Sequence, residues 1–175
     1  MKILYVLRHA KSDWRDSSLK DFDRPLNARG KIAAKAIGKE MLKRRMKPDL
    51  VLASPAVRAQ QTLERVQEAY GAGFVTTHES AIYMAEPEAL VDLVRRAPDD
   101  VKRLLLVGHN PGLQEVATDL IAAGDLDDRE RLREKLPTGG LVVIDFAIAD
   151  WSKLHPRSGR LERFVVPRML EATTD

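Results

Sequence analysis

Runs of apolar residues alternate along the chain with segments in which apolar residues recur every three or four positions. Runs of four or five consecutive apolar residues are typical of strands that are buried on both faces of a sheet. Three such runs predict strands at Ile3–Leu7, Asp49–Ala53 and Arg103–Val107. Shorter or more mixed runs predict further strands at Phe74–Thr77, Leu141–Ala147 and Leu161–Pro167.

The segments between these strands have the periodicity of helices that bury one face. This periodicity predicts helices at 28–47, 55–70, 87–96, 111–121 and 127–135. Ser54 and Asn110 each precede a proline, a pairing that is typical of an N-cap followed by the first helical residue. Since strands alternate with helices, we expect one α/β domain over residues 1–170, with a mainly parallel sheet covered on both faces. We expect residues 171–175 to form a frayed tail.

Composition narrows the class of protein. The chain has 175 residues, of which 44% are hydrophobic and 31% charged, as in a soluble globular domain. The absence of cysteine excludes disulfides, thiolate catalysis and sulfur-ligated zinc. A net charge of +3 with interleaved signs and only 5% aromatic residues gives little support for nucleic-acid binding, which stays a third hypothesis. No apolar run has the length of a membrane span or a signal peptide, so we expect a cytoplasmic protein.

Polar residues with related chemistry follow three of the predicted strands. Arg8 and His9 end the first strand, Ser54 follows the second with Arg58 four residues later, and His109 ends the third. Because the carboxyl ends of parallel strands meet at one edge of a sheet, we expect these side chains to converge. Arginine and helix N-termini both favour phosphate. The sequence therefore predicts a phosphate site at this edge.

His9 is the natural nucleophile of such a site. A neutral imidazole can accept a phosphoryl group covalently, which divides one difficult displacement into two easier ones. We expect Arg8, Arg58 and His109 to depress the pKa of His9 and to offset the charge of the transition state. Four histidines without cysteine and without clustered carboxylates argue against a metal. We therefore expect neither a metal nor another cofactor.

Five segments, in chain order, resemble the motifs of the histidine phosphatase (phosphoglycerate mutase-like) superfamily. The first resembles the family's RHG motif, with Ala10 where glycine is usual, and the fourth resembles its second-histidine motif. The length of the chain, the RHAKS sequence and the HNP sequence are most similar to the SixA branch, the phosphohistidine phosphatases. The segments are Leu7–Ser12, Asp23–Gly30, Ser54–Thr62, Val107–Pro111 and Leu136–Gly140.

The resemblance implies a fold and a role for each matching residue. The fold would be a three-layer α/β/α sandwich with a mixed, mostly parallel sheet. His9 would be the phosphorylated nucleophile and His109 its electrostatic partner, while Arg8 and Arg58 would bind the phosphoryl group. Ser12 and Asn110 would line the pocket. The activity would be that of a metal-independent phosphatase acting on phosphohistidine in a protein.

The general acid has no clear candidate in the sequence. Many relatives carry an acidic residue after the third motif, and here Glu79 and Glu86 lie in that neighbourhood, although neither is in a family motif. For both residues a solvated loop or helix-cap carboxylate is the favoured interpretation. Members that resemble SixA often lack the acid, and a phosphoramidate leaving nitrogen is basic enough to take a proton from water.

Three further possibilities stay open at this stage. Small phosphometabolites or nucleotides are the alternative substrates, and a non-catalytic module that binds phosphorylated ligands is the alternative to an enzyme. Trp14, five residues after His9, would either flank the mouth of the pocket or anchor a loop by burial. The oligomeric state cannot be predicted from the sequence.

Overall fold

The computed structural model describes residues 1–171, so positions 172–175 of the predicted tail lie outside the described residues. Seven strands of the described chain form one sheet in the order β3-β2-β4-β1-β6-β7-β5, and only β6 runs antiparallel to its neighbours. The strands are β1 (Lys2–Arg8), β2 (Leu50–Ala53), β3 (Thr76–His78), β4 (Arg103–Gly108), β5 (Ile121–Gly124), β6 (Leu141–Phe146) and β7 (Gly159–Val165).

Six helices cover this sheet on both faces. The helices are α1 (Ala28–Lys43), α2 (Val57–Tyr70), α3 (Pro87–Arg95), α4 (Gly112–Leu120), α5 (Leu126–Glu134) and α6 (Pro167–Glu171). Successive residues of a strand point to opposite faces. Leu4 and Val6 accordingly pack in the core on the side of α3, α4 and α5, whereas Tyr5 and Leu7 pack on the side of α1 and α2. The predicted three-layer sandwich with a mostly parallel mixed sheet is confirmed.

The ends of several elements differ from their predictions. Helices α2 and α4 have Ala56 and Pro111 as N-caps, so the assignment of Ser54 and Asn110 as N-caps is wrong. The Ser54 hydroxyl instead lies 2.7 Å from Nε2 of His109, a partner 55 residues away that a local pattern cannot reveal. Helix α1 ends at Lys43 rather than 47, because the chain turns at Arg45 with a φ of 57°.

Strand β5 and helix α6 are absent from the sequence prediction. The pattern predicts Ile121 at the end of a helix, but it begins β5, which pairs in parallel with β7. The pattern predicts Pro167 at the end of a strand, but it begins α6. Pairing with a distant strand overrides the helical preference of the alanines in β5.

The register of the sheet places three strand ends side by side. Arg8 at the end of β1 is in register with Gly108 of β4, and Ala53 at the end of β2 is in register with Val107. The residues that follow, His9, Ser54 and His109, therefore leave adjacent strands at the same edge.

Candidate active site

The two histidines lie together at the carboxyl edge of the sheet. The ring centroids of His9 and His109 are 5.3 Å apart, with an angle of 50° between the ring planes. Both side chains are buried, and so is that of Arg58, whose Nε lies 3.4 Å from Nε2 of His9. The structure thus brings together residues that are up to 100 positions apart in sequence.

The tautomer of His9 follows from its hydrogen bond. Nδ1 lies 2.7 Å from the carbonyl oxygen of Ala10, and a carbonyl oxygen only accepts, so Nδ1 carries the proton. Nε2 then carries the lone pair, which accepts a long hydrogen bond of 3.4 Å from Nε of Arg58. The amide of Ala10 donates to Oγ1 of Thr62, which in turn donates to the carbonyl oxygen of Arg58. These bonds fix the orientation of His9 relative to Arg58.

Both imidazoles are held in the neutral form. Burial lowers the pKa of His9 to about 4, and the charges of Arg58 and Arg8 act in the same direction, against the opposing hydrogen bond to Ala10. Burial likewise lowers the pKa of His109 to about 3, with Arg58 and His9 adding to the effect. The direction predicted for His9 is correct, but burial rather than the arginines is the largest cause.

His109 is fixed from two sides. Its Nε2 lies 2.7 Å from Oγ of Ser54, whose hydroxyl oxygen also accepts from the amide of Ala56. The ring of Tyr83 packs edge-on against it, with centroids 5.3 Å apart and planes at 89°. Nδ1 of His109 is buried and has no hydrogen-bond partner among the described residues.

The two arginines place a concentration of positive charge beside His9. Arg8 donates from one terminal nitrogen to the carbonyl oxygen of Leu136 at 3.0 Å, and its buried Nε has no partner among the residues that the structure describes. Burial and the charge of Arg58 lower the pKa of Arg8. Two neighbouring guanidinium groups with a free buried donor form a site for an anion with several acceptor oxygens.

Asp21 completes the arrangement, although no motif in the sequence singles it out. Its carboxylate accepts from Arg58 at 3.0 Å, from Arg24 at 2.6 Å and from the hydroxyl of Tyr83. Its carbonyl oxygen also accepts from Arg58 at 2.7 Å. The hydrogen bond from Tyr83 and the charge of Arg58 lower the pKa of Asp21. Asp21 is therefore an ionised group that positions Arg58.

Comparisons with known proteins identify the family. The model of the histidine phosphatase superfamily (branch 1) matches residues 4–81. The Mycobacterium tuberculosis protein Rv1276c, which is uncharacterized, is 35% identical over 164 residues, and the match covers 93% of this chain and 100% of that protein. The solved structure of SixA from Agrobacterium tumefaciens is 32% identical, covers 95% of this chain and 98% of its own, and has a TM-score of 0.80. The chain belongs to the histidine phosphatase superfamily.

Within the superfamily, this phosphatase belongs to the SixA-type branch. The structure of the protein histidine phosphatase SixA complexed with tungstate has the same fold, with a TM-score of 0.74 at 17% identity over 96% of this chain and 99% of that one. The predicted family and phosphatase activity are confirmed, and the alternative of a non-catalytic binding module is wrong.

Ser12 and Asn110 use their polar groups within the protein. Ser12 is buried and pairs through its backbone with Leu26. Asn110 donates to the carbonyl oxygen of Leu136 at 3.0 Å, the same oxygen that accepts from Arg8, and accepts from the amide of Gln114. Asn110 thus supports the Leu136 carbonyl that positions Arg8 in the phosphatase.

The two acidic candidates stand apart from this cluster. Glu79 is half-buried just after β3, and its amide donates to the carbonyl oxygen of Ala53. Glu86 is exposed and precedes α3 without a capping hydrogen bond from its side chain. Among the described residues, neither carboxylate makes a hydrogen bond or ion pair to the histidines or arginines of the phosphatase site.

Trp14 belongs to the surface beside the site. It is 72% exposed, so it is no buried loop anchor, and the guanidinium of Arg24 stacks on its ring at 3.3 Å. Arg24 in turn binds Asp21, which links Trp14 to Arg58 through one chain of contacts.

The described residues hold no group of three or more side chains that could bind a metal. They also include no helix that is both long and apolar enough to cross a bilayer.

Proposed function

We propose that this phosphatase removes the phosphoryl group from phosphohistidine in a protein, by way of a covalent phosphohistidine on its own His9. The tautomer of His9 carries the proposal. Nδ1 is committed to the Ala10 carbonyl oxygen, so Nε2 carries the lone pair, and the pKa of about 4 keeps the ring neutral near pH 7. A neutral imidazole held in one orientation is prepared for nucleophilic attack on phosphorus.

The reaction proceeds in two displacements. In the first, the lone pair of Nε2 of His9 forms a bond to phosphorus while the bond from phosphorus to the substrate nitrogen breaks, and the leaving imidazole takes a proton from solvent. In the second, a water oxygen forms a bond to phosphorus, the bond to Nε2 breaks, and the water proton returns to solvent. The products are inorganic phosphate and histidine, and His9 is regenerated.

The other site residues stabilise the transferred group. Arg8 and Arg58 offer guanidinium donors to the equatorial oxygens, where charge accumulates in the transition state. His109 is neutral and fixed by Ser54, so its single ring N–H acts as a donor that adds no charge. Asn110 acts indirectly, through the Leu136 carbonyl that holds Arg8. Ser12 is buried, and we assign it no direct part in the reaction.

Among the described residues, the cluster holds no protonated carboxyl group, and this favours a nitrogen-linked substrate. Asp21 is the carboxylate that contacts Arg58, and its lowered pKa means that it holds no proton to give. Alkoxide leaving groups need a proton from a general acid, whereas a leaving imidazole is protonated readily by water. A phosphoramidate substrate therefore fits this site better than the ester of a small alcohol.

A turnover comparison without added metal tests the proposal. The substrates are a histidine-phosphorylated protein, p-nitrophenyl phosphate, phosphoserine and a hexose phosphate. We expect the highest kcat/KM for the phosphohistidine protein. A brief reaction with labelled substrate, quenched in alkaline detergent, should leave label on the wild-type enzyme that acid then releases.

Two variants complete the experiment. His9→Gln should lose both turnover and label, while His155→Gln, which removes an exposed histidine, should keep both. Folding of each variant is checked by circular dichroism. Turnover that survives in His9→Gln would refute the covalent mechanism. A kcat/KM for a small ester equal to that for the phosphohistidine protein would refute the substrate assignment.

A further inference from the structure

A second concave surface lies next to the active site. It is a groove of about 590 Å³, within the range of about 300–1,000 Å³ that is typical of ligand sites. We call it the basic groove, because five of its lining side chains are cationic and only one is anionic: Lys11, Arg29, Arg131, Lys135, Arg168 and Glu134.

The groove adjoins the strand end that carries Arg8 and His9. Lys11 follows His9 by two residues and lines the groove. Pro137 and Thr138 also line it, and the residues on either side of them bind the catalytic strand end. The carbonyl oxygen of Leu136 accepts from Arg8, and the amide of Gly139 donates to the carbonyl oxygens of Arg8 and His9. A molecule in the groove therefore lies beside any substrate whose phosphoryl group reaches His9.

Most of the positive charge that lines the groove is not balanced by ion pairs. Its lining carries an excess of four positive charges, which is more than the +3 of the whole chain. Arg131 pairs with Asp128 at 2.6 Å. The other four cations make no ion pair with any described residue. Clustered like charges repel one another, and an anionic partner would relieve that repulsion.

The floor of the groove shows what kind of anion fits. It includes the half-buried Val166 and the buried Pro167, which suit apolar side chains rather than an inorganic ion. Phe164 is only 4% exposed, and the guanidinium of Arg131 covers its ring at 4.9 Å. The groove therefore offers no open aromatic face on which a nucleic-acid base could stack. Positive rims above an apolar floor match a peptide that carries both carboxylates and apolar side chains.

We propose that the basic groove docks an acidic, partly apolar segment of the phosphorylated protein substrate while its phosphohistidine enters the pocket of His9. The inference rests on the proposed function for the identity of the substrate. Docking beside the reacting group raises the local concentration of substrate and so lowers KM, and it leaves the chemical step unchanged.

Charge reversal in the groove tests the inference. The variant Lys135→Glu/Arg168→Glu changes two exposed lining residues whose side chains make no hydrogen bond or ion pair with the described site residues. The matched control Lys35→Glu/Lys39→Glu makes the same change in net charge on the exposed part of α1, outside the groove. The substrate is a histidine-phosphorylated carrier protein with a tail of six glutamates and two leucines, compared with the same carrier bearing glutamines instead.

We expect the groove variant to raise KM for the acidic-tailed carrier at least tenfold at low salt, with kcat retained. Its kcat/KM for p-nitrophenyl phosphate should stay within twofold of wild type, and the control variant should match wild type on all substrates. The preference of the wild-type enzyme for the acidic tail should shrink in 0.5 M salt, because salt screens exposed charges. Equal KM values for the two tails would overturn the inference.

Direct binding separates a failure of the inference from a failure of the proposed function. A fluorescein-labelled octapeptide of six glutamates and two leucines is titrated with inactive His9→Gln enzyme, with and without the groove changes. We expect at least tenfold weaker binding when the two charges are reversed, whatever the enzyme hydrolyses. Tighter binding of a single-stranded RNA octamer than of the peptide would also overturn the inference.

Discussion

Lowering the pH from 7.5 to 5.0 should destabilise this phosphatase through His9 and His109, because the fold holds both rings neutral. In the unfolded chain each imidazole gains a proton near its ordinary pKa of 6.5, whereas the folded values are about 4 and about 3. Between these limits the unfolded state binds more protons. The stabilisation is therefore complete above pH 6.5 and is lost as the pH falls toward the folded pKa values.

The size of the effect follows from the same values. Each pH unit in this window changes the free energy of unfolding by about 1.4 kcal/mol per histidine. Between pH 6.5, the ordinary pKa, and pH 5.0, His9 and His109 therefore each lower the free energy of unfolding by about 2 kcal/mol, or by about 4 kcal/mol together. The folded-state pKa values have little effect on this figure, since both lie below 5. A loss of this size is a large part of the 5–15 kcal/mol by which domains are typically stable.

Urea denaturation at 25 °C measures the loss. We compare the drop in the free energy of unfolding between pH 7.5 and pH 5.0 for wild type, His9→Gln, His109→Gln and His155→Gln. Each of the first two variants should show a drop about 2 kcal/mol smaller than that of wild type. His155 is exposed, so its variant should match wild type. A drop in His109→Gln equal to that of wild type would refute the reasoning, because it would mean that His109 is solvated in the folded protein.

Two further predictions concern residues around the site. Asp21→Asn removes the charge that offsets Arg58, so inorganic phosphate should inhibit about fivefold more tightly, equivalent to about 1 kcal/mol. Inhibition constants measured beside the exposed control Asp23→Asn check this, and unchanged inhibition would contradict it. Gly30→Ala should lower the free energy of unfolding, measured in urea, by about 1–3 kcal/mol, because the added Cβ would lie 2.1 Å from the carbonyl oxygen of Lys11. Gly73→Ala is the control, since its nearest neighbour is 4.0 Å away, and an equal cost in both variants would contradict the steric explanation.

Much of the fold follows from local patterns in the sequence. The apolar runs around Leu4, Leu52 and Leu106 mark strands that are buried on both faces, and the structure confirms them as neighbours in the sheet. Burial on two faces requires consecutive apolar residues, which is a property of a few adjacent positions. The edge strand β5 carries no such requirement, and so its residues resemble the end of a helix.

The same distinction applies to the site. The abrupt change from apolar to charged residues at Arg8 and His9 and at His109, together with the parallel order of the strands, was sufficient to predict that these side chains meet. The proximity of Arg58 to His9 also followed, since Arg58 lies in the first turn of the helix after β2, which ends at the same edge two strands from β1. What these residues do stays a proposal, which the experiments above test.

By itself the sequence determined the sandwich, the family and the edge of the sheet at which the histidines gather, because each is marked by runs or motifs of a few adjacent residues. Only the tertiary structure decided that Asp21, among the several aspartates of one polar loop, binds Arg58 and Tyr83, which lie 37 and 62 positions away. It also decided that Ser54 binds His109 rather than capping a helix, and that five cations form one groove. Such contacts join distant segments, and no periodicity along the chain records which of many similar polar residues will meet.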